Sequence, residues 1–549
     1  MKLLRGFTPY KKEDAEKYNR LGWWAGLTLG DILDKAADIY PNKEALVDDK
    51  SRLTYSQVRE MVNRLAISLM ELRIKTMDRV LIQLPNWNEF AYCYFALQKI
   101  GAIPVLLIDR YRQYEINHLF RLTGATTWIV PERYGKTDYL EIVHDVLKDN
   151  PKVKRVILVR GQTHKRFLSL EKLIDQAKLT EENLRRLARR RPDPRQVAHM
   201  GPTGGTTGLP KVVPRTHNDY ICRFEYISRG WELNLNDTLL VSAPIGHDLP
   251  FSIGFCSTLF ACGKVVMLDS TDPEDICKTI QNEKVTSIAW TPALAIRLVA
   301  FEDLEKYDLT SLKKMYCGGG AAPAKLVKNV NEKLGCAYIN AYGGTEGMNA
   351  QTRLDYDFEK ICRTVGKPTC PYDTYKVVNP KGKELPPKTP GELMIKGPGI
   401  FTGYYNAPEE NEKVFDKKGF FRTGDLAMFD DEGNIVLTGR VREIIKRGGE
   451  SISATEIESL IVTHPDVASV AVIGMPDPEM GERVCAYIQP KTGFILDFEA
   501  IISFLKLKKA SVLQLPERVE FVDSVPLTEA KKTDKKALIE DIKRKLGVI

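Results

Sequence analysis

The stretch 79-RVLIQLPNWNEFAYCYFALQKIGAIPVLLI-108 decides the fold class. An apolar run (79–85) is followed by a helix-length amphipathic segment (88–101) and a second apolar run (102–108). Short apolar runs bounded by turn residues read as buried strands, and helix-period segments between them as covering helices. The alternation recurs with 154-KRVILV-159, 264-KVVMLD-269 and 314-KMYC-317. From about residue 30 to 340 the chain is therefore expected to form α/β layers with largely parallel sheets. Between about 374 and 439 short strands and Gly/Pro turns, as in 391-GELMIKGPG-399 and 434-NIVLTGR-440, indicate a smaller β-rich section. After residue 440 a compact α+β unit is expected: helix 453–463, strands 470-VAVIG-474 and 483-RVCAYIQP-490, a helix near 498–508, and strand 518-RVEFV-522. This gives a large domain over 1–440 and a small one over 441–549.

A chain of 549 residues exceeds one ordinary core. Its 43% hydrophobic and 28% charged residues are those of a soluble globular protein. The net charge of +8 helps draw in an anionic nucleotide or coenzyme without requiring nucleic acid. Ten cysteines without a C-x-x-C pair argue against a disulfide framework or structural zinc and for a reducing compartment. MKLLRGFTPYKK lacks the apolar segment of a signal peptide, and no apolar run reaches the ~18 residues of a membrane span. A cytoplasmic protein without integral membrane attachment is expected. The basic run 185-RRLARRRPDPR-195 reads as a solvated helix face and linker.

A strand ending near Met200 leads into 203-TGGTTGLPKVVPRTH-217. Thr203, Gly204, Gly205, Thr206, Thr207 and Gly208 offer backbone N–H groups and hydroxyls with little to obstruct a phosphate. Pro210 stiffens the exit and Lys211 adds positive charge. A Walker A loop needs Gly-Lys-Ser/Thr in succession, and here Leu209 and Pro210 intervene, so a P-loop kinase is poorly supported.

TGGTTGLPK-x5-H resembles the signature loop of the acyl-adenylate-forming enzymes, the superfamily of acyl- and aryl-CoA ligases, adenylation domains and luciferases. Further elements in family order run from about 53 to 540, and PRTHNDY is most similar to the branch that activates aryl acids such as dihydroxybenzoate. The resemblance implies a large α/β domain with a β-rich section and a small, mobile α+β C-terminal domain. It implies an acid activated by ATP and magnesium through an acyl-adenylate, with pyrophosphate leaving before a thiol displaces AMP. The glycine loop then covers the departing pyrophosphate and need not itself bind the metal.

By the same resemblance, 341-AYGGTEG-347 supplies Tyr342 to stack on adenine, Thr345 to the α-phosphate and Glu346 to magnesium, a hard cation suited to carboxylate oxygen. The segment 318-GGGAAP-323 places Gly319, Gly320 and Ala321 along the nucleotide, and Gly318, Ala341 and Gly343 beside the acyl group. In 421-FRTGD-425, Asp425 takes the ribose hydroxyls. In 439-GRVREIIKRGGESI-452, Arg440 contacts ribose or phosphate, Arg442 is the hinge, Lys446 approaches the AMP phosphate, and Gly448 and Gly449 border the thiol tunnel. Family members carry P-x-T-x-x-G-K near the end; here 526-PLTEAKKTDKKAL-538 puts Lys532 at the catalytic lysine and Lys531 in place of glycine. Lys535, Lys536 and the rest of the tail read as a solvated helix start.

His247, in 243-APIGHDLP-250, resembles the gate between acid and ATP pockets. The dihydroxybenzoate-activating relatives have His-Asn-Tyr-Pro here and then a hydroxyl-reading serine. This chain has Asp248, Leu249 and Pro250, with Ile253 at the serine's place, so a benzoate-like or alicyclic acid is expected. An acid–CoA ligase comes first, and a stand-alone aryl acid-AMP ligase loading a carrier protein second. Expected partners are a small carboxylate, ATP and coenzyme A, with no nucleic acid; a homo-oligomer is allowed.

Overall fold

The computed structural model describes residues 3–162, 164–203, 210–320, 322–447, 450–478, 480–508, 510, 514–528 and 533–548, and at 442, 446, 450 and 451 the backbone alone. The chain divides into two compact units, one over 1–203, 209–374 and 395–421, the other over 204–208, 375–394 and 422–549.

The first unit holds two large sheets. One has the strand order Lys367–Pro368, Asn349–Gln351, Ala337–Gly343, Lys314–Gly318, Ser287–Trp290, Thr238–Val241, Lys264–Met267, Glu44–Val47, Arg52–Thr54. From Ala337–Gly343 to Glu44–Val47 the pairs are parallel, and the edges are antiparallel. The other runs Val212–Thr216, Val197–Pro202, Ile103–Leu106, Arg79–Ile82, Thr127–Pro131, Arg155–Val159, Leu168–Ser169. It is parallel except for the hairpin Val197–Pro202/Val212–Thr216.

The stretch 79–108 forms strand Arg79–Ile82, helix Asn88–Ile100 and strand Ile103–Leu106, paired in register from Arg79↔Ile103 to Ile82↔Leu106. The helix corrects one expectation. Every residue from Phe90 to Gln98 is buried, so over that span it has no solvent-exposed face. Helices Leu29–Ile39 and Tyr55–Glu71 pack on it from outside the sheet, and a helix covered all round must be apolar or satisfied all round. Gln98 donates from Nε2 to the Ala198 carbonyl at 2.8 Å. The helix stops at Gly101, whose φ of +71° suits the left-handed cap; a Cβ there would lie 2.9 Å from Thr76 Cγ2.

The first residues strap this unit. Tyr10 donates to the Ile400 carbonyl, Trp24 Nε1 to the Pro398 carbonyl at 2.9 Å, and the Asn406 N–H to the Gly6 carbonyl at 3.0 Å. Trp23 stacks on Tyr372 at 4.4 Å. The basic run sits on helix Glu181–Ala188 and the segment after it, and Arg185, Arg191 and Arg195 pair with Glu181, Asp31 and Asp193.

The second unit has a four-stranded sheet, Thr374–Val378, Gly391–Lys396, Phe421–Phe429 and Ile435–Arg440. It also has a five-stranded sheet built on the long pair Val467–Asp477 and Gly481–Pro490. Alternate residues of Val467–Asp477 point to opposite faces. Val472 packs with Ile457, Ile461, Ile501 and Leu505 on one side, and Ala471 and Ile473 with Leu538 and Ile542 on the other. No described helix is long and apolar enough to cross a membrane.

Candidate active site

Strands Lys314–Gly318 and Ala337–Gly343 lie side by side and parallel, with Gly318 opposite Ala341. The segments 318–323 and 341–347 therefore leave the same edge of the sheet, where parallel α/β sheets present ligand sites. Gly319 and Gly320 are exposed there, and Gly319 has φ +81°. Ala341 and Tyr342 are buried, and the Tyr342 hydroxyl meets Met348 Sδ at 3.7 Å. Gly343 faces Met348: an added Cβ would lie 2.9 Å from its carbonyl oxygen. Ala321 lies outside the described residues.

The hairpin of the other sheet, Val197–Pro202 and Val212–Thr216, lies alongside. Its strands close where the Thr203 N–H donates to the Lys211 carbonyl at 2.8 Å; Gly204, Gly205, Thr206, Thr207 and Gly208 lie outside the described residues. Gly201 abuts Thr345, since a Cβ on it would sit 2.8 Å from Thr345 Cγ2. Glu346 Oε1 accepts from the Tyr404 hydroxyl at 2.8 Å, and the Phe401 N–H donates to the Glu346 carbonyl at 2.8 Å. Lys211 pairs with Glu410 and lies 4.7 Å over the Tyr404 ring. Glu346 and Lys211 thus meet at one tyrosine, Tyr404.

Sequence reading missed what holds this arrangement. Arg215, fully buried, donates from Nε to Asp219 Oδ1 at 2.6 Å, from Nη1 to the Thr345 carbonyl at 3.1 Å and from Nη2 to the Gly399 carbonyl at 2.6 Å. Asp219 also accepts from the Thr216 N–H and hydroxyl, forming a capping box on helix His217–Gly230. The T-x-x-D spacing 216–219, with an arginine four residues before the aspartate, was the available signal. His217, the last residue of the signature, accepts from the Leu29 N–H through Nδ1 at 3.1 Å, and burial pushes its pKa down to about 3.

Nearby, the Gly399 N–H donates to Asp373 Oδ1 at 3.1 Å, and a Cβ at Gly397 would lie 1.9 Å from that oxygen. Burial pushes the Asp373 carboxyl up to about 7, against the Gly399 N–H and the charges of Arg215 and Arg223. The unfolded carboxyl titrates near ~3.9, so the folded chain binds the extra proton between there and 7. Stability from this group is therefore present at low pH and lost as pH rises through 7. Asp373→Asn is expected to raise the thermal midpoint more at pH 8 than at pH 5; equal gains at both would count against a buried carboxylate.

His247 opens the pocket segment, its carbonyl accepting from the Phe251 N–H at 3.1 Å. Leu249 begins a π-helical turn, Leu249–Cys256, in which Ile253 is buried in the main core. Asp248 turns to helix His217–Gly230, where Arg223 Nη2 donates to its Oδ2 at 2.8 Å. Behind it His199 stacks on Phe251 at 5.3 Å, its pKa pushed by burial down to about 3, so the ring is neutral.

In the second unit Asp425 and Arg440 are register partners, with Arg440 Nε 3.1 Å from Asp425 Oδ1. The backbone at Arg442 forms a short turn, Val441–Glu443, and Lys446 lies in strand Ile444–Arg447; their side chains lie outside what is described, as do Gly448, Gly449, Lys531 and Lys532. Lys535 is not a solvated lysine: it lies between Glu443 Oε2 at 3.0 Å and Glu458 Oε1 at 2.8 Å. Both acids are brought to it by elements distant in sequence.

The profile of the AMP-binding enzyme family matches residues 33–405, and that of the AMP-binding enzyme C-terminal domain residues 456–532. The chain belongs to the acyl-adenylate-forming AMP-binding enzymes. This AMP-binding enzyme is 36% identical over 546 residues, 99% of both chains, to a 2,3-dihydroxybenzoate-AMP ligase of Bacillus subtilis (strain 168). It is 33% identical, over 98% of each chain, to a salicylyl-CoA synthase / salicylate adenylyltransferase of a Streptomyces species. Among solved structures, the apo structure of Mycobacterium smegmatis MbtA matches with 30% identity and a TM-score of 0.74, over 97% of this chain and 98% of that one. The expected α/β fold with its smaller C-terminal domain is that of the AMP-binding enzymes.

Proposed function

We propose that this chain activates an aromatic or alicyclic ring carboxylate with ATP and passes the acyl group to coenzyme A in the cytoplasm. The observation that carries the adenylation is the full-length similarity to the dihydroxybenzoate-AMP ligase, and the similarity to the salicylyl-CoA synthase supports coenzyme A as acceptor. The acid's carboxylate oxygen attacks the α-phosphorus, the bond to the β-phosphate oxygen breaks, and pyrophosphate leaves an acyl-adenylate. The thiol then attacks the acyl carbon and AMP departs.

Thr203 to Gly208 and Lys211 hold the outgoing phosphates, Lys211 exchanging Glu410 for them. Thr345 binds the α-phosphate, and Lys532 bridges it to the acid. Tyr342 and the backbone of Gly319 to Ala321 hold adenine; Asp425 and Arg440 hold ribose; Lys446 reaches the AMP phosphate. His247, Asp248, Leu249, Ile253, Gly318, Ala341 and Gly343 line the acid. The small domain, with its boundary near 440, turns about Arg442 so that Gly448 and Gly449 border the thiol. Glu346 fits magnesium as a hard-oxygen ligand aligned by Tyr404. Among the described residues no group of three or more His, Cys, Asp or Glu could hold an ion. An ion bound there would offset negative charge on the phosphates.

A carrier protein as acceptor is the second reading, favoured by the AMP-ligase relative. Incubation with Mg-ATP, coenzyme A and a panel of benzoates, hydroxybenzoates, cyclohexane- and cyclohexenecarboxylates and short fatty acids, read by mass spectrometry, separates them. A ring-acid CoA thioester with AMP is expected. Acyl-AMP without thioester would point to the carrier protein, and no adenylate from any acid would overturn the proposal.

A further inference from the structure

A cavity of about 240 Å³ lies against the strap of the first residues. Its lining comes from two stretches, 8–18 and 396–419, both within the first unit. Neither stretch holds a residue assigned above to nucleotide, acid or thiol. Tyr10, Tyr18, Phe401 and Phe415 give it aromatic walls, with Tyr18 and Phe401 buried. An apolar cavity of ~150 Å³ already takes benzene, so this one has room for one or two rings.

The polar groups of the lining decide which ring compounds it suits. Lys11 donates to the Lys417 carbonyl at 2.9 Å. Lys396 donates to the Lys418 carbonyl at 3.1 Å and lies 2.8 Å from Asp14 Oδ2. The two tails converge over Gly419, where an added Cβ would sit 3.9 Å from both Lys11 Cε and Lys396 Nζ. An ammonium has three donors, so each lysine keeps one for a guest. Asp416 Oδ1 is taken up by its own turn, accepting from the Lys418 and Phe420 N–H groups at 2.9 and 2.8 Å. Along the lining three lysines, Lys11, Lys396 and Lys417, stand against two aspartates, Asp14 and Asp416, so one negative charge balances the site.

We propose that this cavity is a second small-molecule site, separate from the adenylation centre, for an aromatic monoanion of one or two rings. The ring lies between the aromatic walls, and the anionic group takes the Lys11 and Lys396 ammoniums. Its position gives binding a consequence. The Ile400 carbonyl accepts from Tyr10, and the Phe401 N–H donates to the Glu346 carbonyl at 2.8 Å. A guest joining 8–18 to 396–419 braces the segment on which the Glu346 backbone rests.

The test uses naphthalene-2-sulfonate, which has no carboxylate to activate, and naphthalene-2-sulfonamide as its uncharged counterpart. Titration calorimetry of the full chain should find one sulfonate per chain. It should bind about tenfold or more tighter than the sulfonamide, the scale of one hydrogen bond to a charged group. Lys11→Gln/Lys396→Gln should bring the two probes within about threefold of each other, since the ring contacts remain and the charges do not. Thr402→Trp, which puts an indole into the lining, should lose both probes. Pyrophosphate exchange with a ring acid should continue in both variants, and sulfonate should leave the KM for the acid unchanged. Equal affinity for the two probes, a preference that survives the lysine variant, binding that survives Thr402→Trp, competition with the acid, or no binding at millimolar probe would each overturn the inference. Should Thr402→Trp not fold, the lysine variant decides. The calorimetry stands whether or not the chain adenylates, so failure of this site and failure of the proposed function are read separately.

Discussion

Lys532→Ala is expected to slow adenylation by about 10²–10³, the scale of removing one preorganised charge from a developing transition state. Negative charge gathers on the α-phosphate oxygens as the acid attacks, and a lysine bridging both groups meets it there. The same variant, supplied with preformed acyl-adenylate, should make thioester at close to the native rate, because that step no longer joins carboxylate to phosphate. The structure narrows the field of rival lysines. Lys535 is held between Glu443 and Glu458; Leu527 and Thr533 form an isolated β-bridge, and Asp534 caps helix Lys535–Lys545. Lys531 is the remaining competitor. Pyrophosphate exchange for Lys531→Ala and Lys532→Ala side by side decides between them: a larger loss at 531, or equal loss in both half-reactions at 532, would remove Lys532 from its role.

Arg215→Met is expected to destabilise the unit that carries it by about 3–5 kcal/mol, the cost of leaving a buried charge without its partner. Asp219 would keep its Thr216 donors but lose the guanidinium, and the carbonyls of Thr345 and Gly399 would lose theirs. Because one of those carbonyls belongs to the 341–347 segment, adenylation should fall even in the fraction that stays folded. Denaturant unfolding followed by tryptophan fluorescence measures the first effect. The double variant Arg215→Met/Asp219→Asn should recover part of the loss, since it removes the stranded charge. A single variant within about 1 kcal/mol of native, a typical value for one ordinary hydrogen bond, would show that Arg215 is not the tie described.

How far the sequence foretold the molecule depends on the range of the forces involved. The strands at 79–82, 155–159, 264–267 and 314–318 were legible because burial on both faces leaves continuous apolar runs. Helix Asn88–Ile100 was read as amphipathic, and only the helices packed on it show how much of it is buried. The chemistry-bearing motifs were legible as local strings, and parallel pairing of Lys314–Gly318 with Ala337–Gly343 places two of them at one sheet edge. What was not legible was their support. Arg215 reaches Gly399, Tyr404 reaches Glu346 and Arg223 reaches Asp248 across gaps in sequence that no motif spans.

The strap of the first residues sets how much chain the catalytic half needs. The family profile begins at residue 33, yet Tyr10 and Trp24 hold the carbonyls of Ile400 and Pro398, immediately flanking the Gly399 carbonyl that receives Arg215. Phe401, next along, donates to the backbone of Glu346. The smallest working version of this enzyme is therefore longer than its homology suggests. A protease that nicks before residue 24, or a start codon chosen at the edge of the recognisable domain, would loosen the segment around Glu346 from behind while leaving every signature residue in place.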